Sequence, residues 1–320
     1  MMIVMTSNPF AAGINTSTSI AGATPFHGVE NDLAPYKGKP VFFDPLYGNN
    51  GDKLIEMGSR LTLERAGVKM VSNPSQAALI VLSGGASMTD IWEHGFKTLA
   101  KYNKSFPHIP LIVLPASYSF KKTDFAAMFR DRKAEAKLFT REHYSLERLK
   151  SLRFPSEVQV NIDHDMAFRL HGSSFIKRLQ ASVSSKHILI VERADREAMT
   201  AANDQLLPNG FHVPRVLVGV TTPLKRLIMS SALIRRKKSE TPFAIKACER
   251  LFSDLPSLQK IPVHAADISN SRICSFHRFS ALIASSAAVV TTRLHVGILA
   301  AMLDKPVYLA TGPYNKILGI

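Results

Sequence analysis

The sequence predicts an α/β protein made of two Rossmann-like halves with a cleft between them. Three observations predict it. Short apolar runs recur along the chain, each ending in a glycine-bearing or charged turn and followed by a helical pattern. The pattern restarts after a junction near residues 170–186. At about 150 residues per domain, a length of 320 fits two such units.

Residues 1–39 are rich in Ser, Thr, Gly, Ala and Pro, and read as a loosely ordered lead-in. Val41-Phe42-Phe43 opens a strand that runs into Tyr47-Gly48-Asn49-Asn50-Gly51-Asp52. Leu54, Ile55, Gly58, Leu61 and Leu63 then fall near one face of a helix. The next strand is Ala78 to Leu82, ending in Ser83-Gly84-Gly85, and a helix with Ile91, Trp92 and Phe96 follows. Pro110 to Leu114 makes a third strand, and the basic stretch from Lys121 to Arg153 is expected to be helical in parts. In the second half, residues 187–191, 215–220, 263–266, 288–292 and 306–310 read as strands. Residues 276–284 and 294–303 read as helices between them. The expected division is a lead-in (1–39), an N-terminal α/β domain (40–175) and a C-terminal α/β domain (176–320).

Hydrophobic residues make up 46% and charged residues 20%, a globular composition that excludes disorder. Forty Lys and Arg against twenty-five Asp and Glu leave a net charge of +15, which favours an anionic partner: phosphate, acidic glycan, membrane surface or nucleic acid. Cys248 and Cys274 alone exclude a disulfide scaffold and a four-cysteine zinc site, and fit a reducing compartment. No apolar run nears the ~18 residues of a membrane span, and the N-terminus lacks a basic signal region. A cytoplasmic location, or attachment to the inner membrane face, is therefore expected.

Ligands of such sheets bind outside the carboxyl ends of strands, so the chemistry is sought there. Gly48-Asn49-Asn50-Gly51-Asp52 joins a strand to a helix. Its glycines permit close backbone approach, the helix start presents free N–H groups, and Asp52 suits a general base. A tight turn with Asp52 capping the helix explains the same residues. No Gly-Lys-Ser/Thr follows, which excludes a Walker A loop. Ser83-Gly84-Gly85-Ala86-Ser87 reads either as an amide cradle or as a plain turn. Arg193 and its acidic neighbours Glu192 and Asp195 close an apolar strand; they suit an anion site or a salt-bridged strand end.

Thr291-Thr292-Arg293-Leu294-His295 carries a guanidinium and an imidazole into a strand-to-helix turn, where the helix dipole also favours an anion. Asp163-His164-Asp165 has the form of a D-x-D metal motif, but no further ligand cluster accompanies it, and no metal is assigned. Lys225, Arg226, Arg235, Arg236, Lys237 and Lys238 form a basic segment suited to a membrane surface or to bare solvent. No nucleic-acid-binding pattern is present, and nucleic acid is not an expected partner.

Together these segments resemble the polysaccharide pyruvyl transferase family. The matching pieces are Gly48-Asn-Asn-Gly-Asp52, Ser83-Gly-Gly85 with Asp90 and Trp92, and Leu114-Pro-Ala-Ser117. Phe139-Thr-Arg141-Glu142, Asp165-Met-Ala-Phe168 and Arg193-Ala-Asp195 follow, and then Arg293-Leu-His295 running to Lys305-Pro306. The resemblance implies a GT-B-like fold and transfer of pyruvate from phosphoenolpyruvate (PEP) to two sugar hydroxyls as a ketal, with release of phosphate. It implies no cofactor beyond PEP as substrate, and an acceptor that is a glycan on a lipid-linked precursor.

By the same resemblance Arg193, Arg293, Leu294 and His295 bind PEP on the C-terminal side. His295 and Asp52 are the catalytic candidates. Gly48, Asn49, Asn50, Gly51, Asp52, Gly84 and Gly85 are the acceptor candidates on the N-terminal side. The rival readings are another GT-B enzyme that uses a nucleotide sugar, and a basic protein that binds membrane surfaces or polyanions.

Overall fold

The computed structural model of the chain describes residues 2–5, 26–182, 184, 186–192, 251–266 and 268–310. Arg193, Asp195, the strand expected at 215–220 and the basic segment 225–238 lie outside the described residues. In chain order the described strands of the first half are β1 (Met2–Met5), β2 (Pro40–Asp44), β3 (Lys69–Val71), β4 (Leu79–Leu82), β5 (Gly85–Thr89), β6 (Leu111–Ser119), β7 (Ala136–Thr140) and β8 (Val158–Ile162). Those of the second half are β9 (His187–Val191), β10 (Val263–Ala265), β11 (Ser286–Thr291) and β12 (Val307–Ala310). The helices are α1 (Val29–Leu33), α2 (Asn50–Arg65), α3 (His94–Ser105), α4 (His143–Lys150), α5 (Ser174–Ala181), α6 (Phe276–Ala284) and α7 (Leu294–Met302).

Seven strands form the first sheet, in the order β3-β2-β4-β6-β7-β8, with β5 also paired to β6. Every pairing in it is parallel. Central parallel strands are covered on both faces, which is why β4 reads as an unbroken apolar run and is buried throughout. The second sheet has the order β1-β12-β11-β9-β10. Its pairings are parallel except at one edge, where Met2 of β1 lies antiparallel opposite Ala310 of β12. Among the described residues no helix is long and apolar enough to cross a membrane.

Several expectations need correction. The lead-in is not loose to its end: Val29 and Leu33 of α1 are fully buried, in a cluster with Val41, Ile55 and Leu79. Ser83-Gly84-Gly85 is not a loop leading to a helix. It is a kink between β4 and β5, which both run along β6. A side chain at Gly84 would start 1.9 Å from the Pro115 carbonyl oxygen, so only glycine lets the two backbones run this close. The charged stretch 121–153 contains strand β7 before helix α4, and β8 follows where no strand was expected.

The start of α2 shows why the helix begins at Asn50. The Asn49 side-chain oxygen accepts the Gly51 N–H at 2.7 Å, and the Asp52 carboxylate accepts the Asn49 N–H at 2.7 Å. This reciprocal capping box satisfies donors that a helix start otherwise leaves open. Asn50 then ties the helix to the second half. Its amide donates to the Ile268 and Cys274 carbonyls at 2.9 and 2.8 Å, and its backbone N–H to the Ser269 carbonyl at 2.9 Å. Leu54 of α2 and the 3₁₀ turn Met166–Leu170 share one apolar cluster with α6 and α7.

Candidate functional site

The parallel strands of the first sheet deliver polar side chains at their carboxyl ends. Ser117 lies near the end of strand β6, Arg141 and Glu142 follow β7, and Asp165 follows β8. Across from them, β11 ends at Thr291, whose hydroxyl accepts the Arg293 N–H at 2.9 Å and donates to the Val191 carbonyl at 2.8 Å. That pair of bonds fixes the turn that opens α7, and so places Arg293, Leu294 and His295 at the helix start.

The two sets meet at Asp165. Its Oδ2 accepts from Arg141 at 2.6 Å and lies 3.2 Å from His295 Nε2, and its Oδ1 accepts the Ala167 N–H at 2.9 Å. Arg141 Nε donates to the Ser117 hydroxyl at 2.9 Å, which donates to Glu142 at 3.1 Å. Glu142 also accepts from the Ser145 hydroxyl in a short contact. The side chains of Asp165 and Arg141 are 0% and 2% exposed, whereas His295 keeps 14%. Of these three, the imidazole therefore reaches furthest toward solvent.

Burial alone would raise the Asp165 carboxyl pKa. The charge and hydrogen bond of His295, then Arg141 and the Ala167 N–H, outweigh it and hold the group well below the usual carboxylate range. Burial likewise works against the Arg141 guanidinium, but Asp165, Glu142 and Asp52 keep it firmly charged. A depressed carboxylate contributes stability at every pH above its unfolded value. That contribution is lost as pH falls below about 4, toward the folded value. An Asp165→Asn chain should therefore lose its unfolding midpoint less steeply than the wild type between about pH 5 and pH 2, as followed by circular dichroism in urea.

The sequence-predicted residues separate into distinct places. Gly51 and His295 meet: a side chain at Gly51 would start 2.7 Å from His295 Nδ1. Asp52 caps its helix through Oδ2, while its Oδ1 faces Gly85, 3.5 Å from where a side chain there would begin. Gly85 has a φ of +95°, a conformation that favours glycine. Gly48 packs on the Asp52 carboxylate. Asn49 and Asn50 serve the cap and the tie to the second half; Asn50 is 2% exposed. Arg293 is buried at the start of α7. Asp163 and Asp165 do not converge: Asp163 binds the Val29 N–H and Arg169, at 2.8 and 2.7 Å.

Ser117, Arg141, Glu142 and Asp165 were not among the expected site residues. The signal for them was a charged or hydroxyl residue closing a buried strand, on three neighbouring strands.

The comparisons with known proteins identify the family. The family model of polysaccharide pyruvyl transferase matches residues 23–310. A protein of Bacillus subtilis (strain 168) named "Putative pyruvyl transferase EpsO" is 23% identical over 302 residues, covering 89% of this chain and 85% of that protein. The crystal structure of an uncharacterized protein from Klebsiella pneumoniae subsp. pneumoniae NTUH-K2044 shares the fold. Its TM-score is 0.56 at 17% identity, over 91% of this chain and 89% of that one. With a family match from residue 23 to residue 310, the chain belongs to the polysaccharide pyruvyl transferase family and is a transferase.

Proposed function

We propose that the enzyme takes pyruvate from PEP and places it as a ketal on two hydroxyls of a sugar in a polysaccharide, or in its lipid-linked precursor. In this reading the two sheets are the halves of a GT-B-like enzyme, with donor and acceptor meeting between strand ends. The observation that carries it is the meeting of His295, at the start of α7, with Asp165, which follows β8, and Gly51 on α2.

The reaction needs a proton at C3 of PEP, which makes C2 electrophilic. One sugar hydroxyl adds to C2 and gives up its proton, the bond from C2 to the phosphate oxygen breaks as phosphate departs, and the second hydroxyl adds to C2 and passes its proton to the departing phosphate, closing the ketal. Arg293 is assigned to the anionic groups of PEP, because a guanidinium matches both phosphate and carboxylate. Arg193 is assigned to the same role from the sequence alone. Leu294 packs beside the donor, and the free N–H groups at the α7 start add to the anion field. His295 is the general acid or the phosphate donor.

Asp52 is the candidate base, with its Oδ1 turned toward Gly85 and away from the cap. Gly48, Gly51, Gly84 and Gly85 line the acceptor side around it. The basic segment 225–238 gives a use for the +15 charge at an anionic membrane face.

Phosphate release from PEP, measured with a panel of glycoside acceptors and followed by NMR of the product, tests this function. Release that depends on an acceptor, with a ketal signal in the product, is expected. Binding of a UDP-sugar with no turnover of PEP would instead select the nucleotide-sugar reading. Arg293→Lys should raise the KM for PEP about tenfold, because an ammonium cannot form the guanidinium fork. Steady-state kinetics at saturating acceptor reads this directly.

A further inference from the structure

We propose that Asp165 is a positioning residue that fixes His295 with its Nε2 proton held inward, so that Nδ1 is the nitrogen that exchanges a proton with substrate. The inference rests on the reading that His295 works on the donor, and adds which atom does so and what holds it. An ionised carboxylate only accepts hydrogen bonds, so the 3.2 Å contact requires the proton on Nε2. The depressed pKa of Asp165 keeps it ionised through the neutral range.

Asp165 is itself held on two further sides. Arg141 binds the same Oδ2 at 2.6 Å, and the Ala167 N–H binds Oδ1 at 2.9 Å. Arg141 is in turn set by Ser117, and Ser117 by Glu142. The carboxylate cannot rotate away without breaking a buried network, so the ring it grips is fixed too.

With Nε2 committed to Asp165, proton exchange with substrate falls to Nδ1. That atom faces Gly51, where an added side chain would start only 2.7 Å away. The missing side chain at Gly51 lets the imidazole lie this close to the start of α2, and the ring still keeps 14% exposure. Among the described residues, the charged groups that act on this network are Asp52 on α2 and Arg141 and Glu142 after β7, and Arg293 stands two residues before His295 at the α7 start.

Two measurements test the proposal. The first is ¹⁵N NMR of histidine-labelled, substrate-free enzyme, with the His295 signals assigned by their loss in His295→Gln. Above the imidazole titration, a protonated Nε2 and an unprotonated Nδ1 are expected. The opposite tautomer, or an even mixture, overturns the proposal. The second is the kinetics of Asp165→Asn with PEP. A fall in kcat of about 10–100-fold is expected, with the KM for PEP within about twofold of the wild type. An unchanged kcat, or a loss confined to KM, overturns it.

If Asp165→Asn does not fold, the NMR of the wild type still decides. If the wild type releases no phosphate from PEP with any acceptor, the donor assignment fails. The tautomer still reports on Asp165 in that case.

Discussion

Replacing Arg141 with methionine is expected to lower folding stability by about 3–5 kcal/mol, the usual cost of removing one partner from a buried ion pair. The shape of the stem is kept, so the loss is electrostatic. Asp165 and Glu142 are both buried, and Arg141 contacts both of them. Without it two carboxylates stay out of water with fewer compensating bonds, and Ser117 loses the guanidinium it accepts from. Natural domains hold only about 5–15 kcal/mol in total, so the change should be plain in a urea midpoint. Adding Asp165→Asn to the same chain should recover part of the loss, because it removes one stranded charge. Two additive losses would show that the pair is not coupled.

Gly58→Ala is the second large effect, and its sign opposes the usual rule. In an exposed helix interior, Gly to Ala gains about 1 kcal/mol. Here the new methyl would start 1.8 Å from the Met166 carbonyl oxygen, which is backbone and cannot swing aside. Helix α2 must move off the 3₁₀ turn, and overpacking of this kind costs about 1–3 kcal/mol or more. The net result should be a loss of at least about 2 kcal/mol. Met166 follows Asp165 directly, so the displacement should also lower turnover well before the chain unfolds. A variant as stable and active as the wild type would show that the contact relaxes without strain.

The sequence made the strongly periodic elements legible. Helix α6 falls where 276–284 was expected, and β9 where 187–191 was expected. Both have apolar patterns that local physics alone sets. Strands β5, β7 and β8 escaped for different reasons. β5 is built of small residues, GASMT, and lies just after a glycine kink. β7 hides in a charged stretch, because its Lys137 is neutralised by Asp32 from a hundred residues upstream. β8 is an edge strand whose Gln159 and Asn161 weaken its apolar pattern.

The site was half legible for the same reason. Gly51 and His295 stand in local turn signatures, and the fold does bring them together. Arg141 and Asp165 stand in two of the short segments that carry the family resemblance, but nothing local pairs them with each other or with His295. They become a site only when neighbouring parallel strands end side by side, which is tertiary information.

Asn50 has a mechanical consequence. Three hydrogen bonds from this one residue rivet the start of α2 to the segment around Ile268, Ser269 and Cys274. Swinging the halves apart like a book would have to shear all three at once. Any motion of that segment away from the start of α2 must therefore give up these bonds, at about 1 kcal/mol each.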